Sequence, residues 1–362
     1  MNRLDRLFLE RACELAERGR GNTSPNPCVG AVLVRDGRVV GEGYHHRAGL
    51  PHAEVEALRA AADARGATAY VSLEPCNHHG KTPPCSQALV DAGVSRVVIG
   101  ARDPNPKAGG GMATLLANDV RVDVFEYARA RALTEAFRTA VVRDRPYLAL
   151  KLAASSDGFV AAQPGVRTQL TGPQWGAFVR ELRIAHDAVM VGAGTVRVDD
   201  PLLTVRPPHH RLQPYRRVVV CETGTLAHDR RIFAAVEEYK RTIVLAPGAA
   251  RERLAALDGV ADVVFVGADD AVNLNLAQAL RALRKRGFQS ILCEGGPKLA
   301  AGLLGAGLVD RLYWAVAPVL LQAPDAVPAL AGLDLATLQP GLKVDRREQM
   351  GNDLMMSGTF DV

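Results

Sequence analysis

The chain has no long apolar run. No stretch approaches the roughly 18 uncharged apolar residues that a membrane-crossing helix needs, so no span is expected. Residues 1–20 carry charges throughout, without the apolar core of an export signal. They read instead as an amphipathic helix, with Leu4, Leu7, Phe8, Ala12 and Leu15 at helical spacing. Cysteine is sparse. Cys13, Cys28, Cys76, Cys85, Cys221 and Cys293 are spread over 362 residues, too thinly for a disulfide-stapled scaffold. A reduced cytoplasmic setting is expected, and any cysteine pair there points to a metal before a disulfide. No basic tract interleaved with aromatics is present, which argues against a nucleic-acid binder. Internal repeats and low-complexity segments are also missing.

What remains is an ordinary globular composition, 48% hydrophobic and 23% charged, in a chain long enough for two cores. The net charge of +5 suits an anionic small substrate as well as a generic surface. Arg143-Asp144-Arg145-Pro146 reads as the boundary, giving domains of 1–145 and 146–362.

Both halves alternate strand and helix. Residues 29–34 and 38–44 flank Asp36-Gly37, a strong hairpin turn. An Ala-rich helix is expected over 52–65, a strand over 68–73, a helix over 84–92 closed by Gly93, and a strand over 94–100. Asp103-Pro104-Asn105-Pro106 then opens a loop through Gly109-Gly110-Gly111, followed by a strand and helix over about 120–141. This order predicts an α/β/α sandwich. In the second half, strands are expected at 147–153 and near 187–192, 216–221, 242–246, 262–266 and 290–293. Helices are expected near 173–185 and 275–286, and 201–217 reads as a long surface loop.

The most informative residues are His52-Ala53-Glu54, Pro75-Cys76 and Cys85. One imidazole, two thiols and a spare carboxylate make up the inventory of a zinc deaminase. Three ligands hold the metal, a water completes the set, and the Glu moves protons without being a ligand. Residues two apart on a regular helix do not share a face, so His52 must sit at or before the first turn if Glu54 is to serve the same site. Pro51 suits a helix start there. Cys85 is expected to open a helix, where the dipole favours thiolate. Eight residues separate the cysteines, unlike the short Cys-x-x-Cys of other zinc deaminases.

Pro25-Asn26-Pro27, Gly43-Tyr44-His45, His52-Ala53-Glu54-Val55, the run from Leu73 to Cys85, and Asp103-Pro104-Asn105-Pro106 closely resemble the bifunctional riboflavin-biosynthesis deaminase–reductases. The resemblance covers essentially the whole chain. It implies a cytidine-deaminase-like sandwich followed by a dihydrofolate-reductase-like α/β domain. It also implies deamination of a diamino-ribosylamino-pyrimidinone 5′-phosphate with one zinc ion per chain, Glu54 as the catalytic group, and Asn26, His78 and Lys81 around the substrate. The glycine loop here, Lys107 to Gly111, is one residue shorter than is usual in that family.

In the second half, Cys293-Glu294-Gly295-Gly296-Pro297-Lys298 is a strand end, a double glycine and a helix start, a place where backbone amides can cradle phosphate. With Leu150 to Gly158 and Val191 to Arg206 it resembles the reductase half of the same family. That implies NADPH-dependent reduction of a ribosylamino to a ribitylamino group. It places Ala154, Gln169, Thr195, Asp199, Gly295, Gly296, Pro297 and Lys298 at NADPH. Arg167, Arg183, Leu203, Arg206 and Glu294 would lie at substrate. Arg167 and Gln169 stand where the family commonly has a small hydroxyl residue and a Trp, and Cys221-Glu222 replaces a usual Asp-Ser pair. A deaminase with a reductase-like domain that is inactive, or works on another substrate, stays open as the alternative. The expected partners are a small molecule and further copies of the chain in a homo-oligomer.

Overall fold

The computed structural model describes the whole chain except residues 79–82, 107, 206–214, 235–239, 334–340 and 361–362. It divides into two compact units, Met1–Asp144 and Arg145–Val362.

The first unit holds strands β1 (Gly30–Arg35), β2 (Arg38–Tyr44), β3 (Thr68–Val71), β4 (Arg96–Ile99) and β5 (Arg121–Val124) in the order β2-β1-β3-β4-β5. Its helices are α1 (Arg3–Glu17), α2 (Ala53–Ala60), α3 (Cys85–Asp91), α4 (Gly111–Ala117), α5 (Ala128–Leu133) and α6 (Glu135–Val142). The β1–β2 hairpin turns at Asp36 and Gly37, whose φ values of 52° and 73° are those of a two-residue primed turn. Strand alternation sorts the core. Ala31, Leu33, Ala69, Val71, Val97 and Ile99 face α2, α3 and α4, while Val32, Val34, Tyr70 and Val98 face α1. The expected sandwich is therefore present.

Three details depart from the sequence reading. In α1, Leu4 and Leu7 are 56% and 58% exposed, and Asp5 and Leu9 are buried instead. Asp5 is drawn in by Tyr70 and by both terminal nitrogens of Arg96. Helix α2 stops at Ala60, short of the expected 65, because Ala61 turns extended and Asp63 engages Arg35 and the Arg65 backbone. The glycine run at 109–111 is no mere loop, since Gly111 begins α4.

The second unit carries β6 (Tyr147–Ser155), β7 (Phe159–Ala161), β8 (Ala188–Gly192), β9 (Arg216–Val220), β10 (Thr242–Pro247), β11 (Ala261–Val266), β12 (Ser290–Cys293), β13 (Arg311–Ala317), β14 (Val327–Pro328), β15 (Leu342–Met350) and β16 (Asp353–Phe360). Its helices are α7 (Pro173–Ala185), α8 (Ala193–Asp199), α9 (Leu276–Lys285) and α10 (Pro297–Gly305). Nine strands form one sheet in the order β11-β10-β9-β8-β12-β6-β13-β16-β15. From β11 to β13 every neighbouring pair is parallel; β16 and β15 close it as an antiparallel hairpin. Helices α9 and α10 cover one face, and α7 and α8 the other. Arg145 opens this unit with a buried two-pronged pair to Asp310, whose carboxylate also accepts from the Leu148 amide. Within the expected 201–217 loop, Tyr215 and Arg217 are buried and residues 216–217 already belong to β9. Strands β13, β15 and β16 were not anticipated. Among the described residues, no helix is long and apolar enough to cross a membrane.

Candidate active sites

In the first unit, close packing of α2 on β2 sets the site. A Cβ at Gly43 would lie 2.4 Å from the Ala57 nitrogen, and one at Gly41 would lie 2.3 Å from the Ala57 oxygen. Only glycine at both positions lets the helix backbone rest on the strand. His52 is the N-cap of that helix, with extended backbone, and Glu54 lies in its first turn, buried. Cys85 opens α3 behind Pro84.

The turn after β3 brings Cys76 to the same place. Asn77 clamps it: its side-chain oxygen accepts from Ser86 Oγ at 2.8 Å and Thr114 Oγ1 at 2.9 Å. The Ser86 amide donates to the Cys76 carbonyl at 3.2 Å. The eight-residue excursion between the cysteines is thus closed at its neck by α3 and α4. Cys76 Sγ and Cys85 Sγ lie 3.5 and 3.3 Å from His52 Nδ1, and the three potential ligand atoms lie within 4.8 Å of one another. One imidazole and two thiols, converging in a buried pocket, fit a zinc ion with an open fourth position.

The electrostatics follow from burial. The Cys76 thiol is held down, first by a hydrogen bond from Cys85 and then by His52, against the effect of burial. The Cys85 thiol is pushed up by that same hydrogen bond and by burial. Burial pushes the Glu54 carboxyl up to about 7. His45, absent from the sequence-derived site, lies edge-on to His52 at 5.2 Å. Its Nδ1 donates to the Pro51 carbonyl at 3.0 Å, which leaves Nε2 to accept from Asn26 Nδ2 at 3.1 Å. Asn26 is therefore oriented beside the metal pocket with its side-chain oxygen outward from that bond. His78 is exposed just beyond Asn77, and Lys81 lies outside the described residues.

The glycine run serves this turn. A Cβ at Gly111 would sit 1.9 Å from the Pro75 carbonyl oxygen. Gly111→Ala is expected to push the Pro75-Cys76 turn away and cost both zinc retention and at least tenfold in deamination. Normal zinc content and rate in that variant would mean α4 does not set the turn.

In the second unit, ligand-bearing loops of a parallel sheet lie beyond the carboxyl ends of its strands. There the structure groups Lys151 of β6, Arg183 of α7, Thr195 and Asp199 of α8, and the turn from Glu294 to Pro297. Arg183 grips Glu294 with Nε–Oε1 at 2.5 Å and Nη2–Oε2 at 2.9 Å, and its Nη1 reaches the Thr204 carbonyl at 3.5 Å. Burial pushes the Glu294 carboxyl up, and Arg183 and Lys151 more than reverse it. Burial lowers Lys151 from its ordinary value, with Glu294 and Asp199 opposing. Lys151 was not singled out from the sequence; a lone Lys in an apolar strand was the only signal. Asp199 is raised by burial and lowered by the charges of Arg167 and Lys151. A Cβ at Gly296 would lie 3.4 Å from Thr195 Oγ1, so the double-glycine turn abuts the start of α8.

Other expected residues lie apart. Gln169 is exposed and donates to the Thr171 carbonyl at 2.7 Å. Leu203 is buried among Val189, Val191 and Val219 with φ 50°. Ala154 is buried in β6 opposite Val316, and Lys298 is exposed on α10. Arg206 lies outside the described residues.

Known proteins decide the family. The model described as the cytidine and deoxycytidylate deaminase zinc-binding region matches residues 2–101, and that of the RibD C-terminal domain matches 146–356. The chain is 39% identical to the riboflavin biosynthesis protein RibD of Escherichia coli, over 97% of this chain and 98% of that one. The chain belongs to the RibD family. The RibD protein of Aquifex aeolicus is 35% identical over 98% of each. Among solved structures, the Thermotoga maritima diaminohydroxyphosphoribosylaminopyrimidine deaminase/5-amino-6-(5-phosphoribosylamino)uracil reductase superposes with a TM-score of 0.88 at 34% identity, covering 99% of both chains. Acinetobacter baumannii RibD gives 0.85 at 33%, again over 99% of both. This RibD family member is a bifunctional enzyme of riboflavin biosynthesis, a zinc-dependent deaminase and an NADPH-dependent reductase.

Proposed function

We propose that residues 1–145 deaminate 2,5-diamino-6-ribosylamino-4(3H)-pyrimidinone 5′-phosphate, and that residues 146–362 reduce the ribosyl group of the product to ribityl. The observation that carries this is the convergence of His52, Cys76 and Cys85 beside a buried Glu54 that is not needed as a ligand. Zinc held by the three ligands supplies the acidity that makes water a nucleophile at neutral pH. Glu54, with its carboxyl pushed up to about 7, accepts the proton that the attacking water gives up and returns it to the departing ammonia. Asn26, held by His45, offers its oxygen to an N–H on the pyrimidine.

In the second unit NADPH, held by the Gly295-Gly296 turn and Thr195, would supply a hydride for reduction of the sugar. Lys151, made a stronger acid by burial, is the proton source for the sugar oxygen. Arg183 and Arg167 bring positive charge for the substrate phosphate, and Glu294 orients Arg183. The turn from Gly295 to Pro297, with Thr195 and Asp199, forms the cofactor side.

Incubating the protein with the pyrimidine phosphate, with and without NADPH, tests the reading by mass. Deaminated product alone without NADPH, and the product two hydrogens heavier with it, is expected. Deaminated product in both would leave the second unit without this role. Residues 1–145 alone are expected to deaminate, because every proposed zinc ligand precedes the boundary between the units. A zinc-loaded but inert fragment would refute that division.

By the resemblance Gln169 stands where the family commonly has a Trp, although here it is exposed and bonded to the Thr171 carbonyl. Gln169→Trp is expected to tighten NADPH by about 1–3 kcal/mol at most, the worth of burying one large apolar side chain. Arg167→Ser should raise the Michaelis constant for substrate and leave NADPH binding unchanged. Equal NADPH affinity in wild type and Gln169→Trp would show that this segment does not meet the cofactor. A cytoplasmic location and a homo-oligomer complete the proposal, and light scattering on the purified protein checks the second.

A further inference from the structure

Trp175 is a large side chain of the second unit to which the reaction so far gives no role. It stands in the first turn of α7 and is 1% exposed. The hairpin of β15 and β16 fixes that turn. The Gly172 amide, at the N-cap of α7, donates to Asp353 Oδ2 at 2.7 Å, and a Cβ at Gly351 would lie 2.7 Å from Gln174 Oε1. The indole packs with Val179 of its own helix, Ala315 of β13 and Met355 of β16, and its ring centroid lies 5.6 Å from that of Phe178. Among the described residues, its Nε1–H has no hydrogen-bond partner. A buried N–H left unpaired costs stability, so a purely apolar side chain would fill this space more cheaply. What the indole has and leucine lacks is an electron-rich face.

Lys151 occupies that face. Its Nζ lies over the ring, 5.9 Å from the centroid, within the range at which an aromatic quadrupole attracts an ammonium. Strand β6 puts it there: Lys151 pairs with Tyr313 of β13, and Ala153, two residues on, packs against the Trp175 cluster, so Lys151 leaves the sheet on the α7 side. Trp175 and Arg183 stand about 12 Å apart along α7, and Lys151 meets both. The Arg183 charge works against the ammonium, while Glu294 beyond β12 and Asp199 of α8 favour it. Arg167 acts in turn on Asp199, and Arg311 lies over the Tyr313 ring at 5.8 Å. An aromatic face attracts the cation without competing for its proton, as a further carboxylate would. We propose that Trp175 is a positioning residue for reduction, its ring holding the Lys151 ammonium beside Glu294 in readiness to protonate the sugar oxygen. The proposal rests on the reductase reading. The proton leaves Nζ for that oxygen, and the neutral amine regains one from water between turnovers.

The test is the pH dependence of reduction by the full-length protein, with NADPH and the deaminated pyrimidine phosphate. A donor ammonium loses activity as pH rises through its pKa, and removing the ring's attraction lowers that pKa. Trp175→Leu should therefore move the alkaline loss of kcat/KM about one pH unit downward. Trp175→Phe, which keeps a face, should move it less than half as far. KM at low pH should stay within twofold in both, because the buried indole does not meet substrate. A loss by one factor at every pH, or a profile that does not move, would overturn the proposal and leave Trp175 as packing alone. A second measurement stands if Trp175→Leu fails to fold. Trp314→Phe leaves Trp175 as the one tryptophan of the chain. Its emission should change with pH at the midpoint of the rate loss, and Lys151→Met should abolish that change. Emission that is flat with pH, or a transition that survives Lys151→Met, also overturns the proposal. A wild type that shows the transition yet reduces nothing sinks the reductase reading, and the positioning role with it, while the contact of ring and ammonium stands.

Discussion

Glu54→Gln is expected to end deamination while the protein keeps its zinc. The amide fills the same volume in the first turn of α2, so the buried pocket should stand. What it removes is the carboxyl, which burial pushes up to about 7 and so into the range where a group both takes and returns a proton. Loss of general acid–base action is worth about 100-fold to 10,000-fold in rate. His52→Ala and Cys76→Ser should differ in kind. Each deletes one of the three donors that converge among the described residues, and the metal should leave along with the activity. Metal analysis beside rate measurement on the three variants separates the roles. A Glu54→Gln protein that lost zinc as fully as Cys76→Ser would make Glu54 a ligand and sink this mechanism.

The second large effect lies in the other unit. Arg183→Ala leaves Glu294 buried, at 9% side-chain exposure, without its two-pronged partner. Breaking a buried pair from one side costs about 3–5 kcal/mol, and the nearby Lys151 charge puts this case at the low end. Reduction should stop, because the residue that Glu294 positions is gone; deamination should persist. The pH dependence has a fixed sign. In wild type the folded-state pKa of Glu294 is depressed, so its ionised form adds stability above the ordinary carboxylate range, and that stability is lost as pH falls through the folded value. The stability gap between wild type and Arg183→Ala should be full at neutral pH and close on acidification. Urea unfolding of both proteins between neutral and acid pH measures it. A gap that stays constant would mean that the pair is not what holds Glu294 ionised.

Features carried by neighbours in the chain were legible in the sequence. Asp36-Gly37 announces a hairpin because its two residues accept left-handed backbone conformations that most others resist. His52-Ala53-Glu54 announces a helix start because the two side chains can serve one pocket only if the first stands outside the helix, and His52 is indeed the N-cap. The alternation of apolar strands and helices gave away two α/β layers, since burial on both faces of a parallel strand needs an apolar run. The C-terminal hairpin stayed hidden for the converse reason. Strand β15, Leu342–Met350, lies at the sheet edge, where charged side chains face water and blunt further pairing, so it carries no apolar signal.

What long-range contact determines was not legible. The face that α1 buries is set by Asp5 meeting Arg96 and Tyr70, which lie 91 and 65 residues away, and this outweighs the apolar periodicity that pointed Leu4 and Leu7 inward. Gly111 reads as loop in a glycine run, yet it must be glycine because Pro75 presses on it. Arg183 and Glu294 are 111 residues apart, and Lys151 joins them only because β6 and β12 are adjacent strands. Local sequence determines where elements start, turn and stop, because backbone preference acts within a few residues. Which charges meet is decided by sheet order, and sheet order is a property of the folded chain alone.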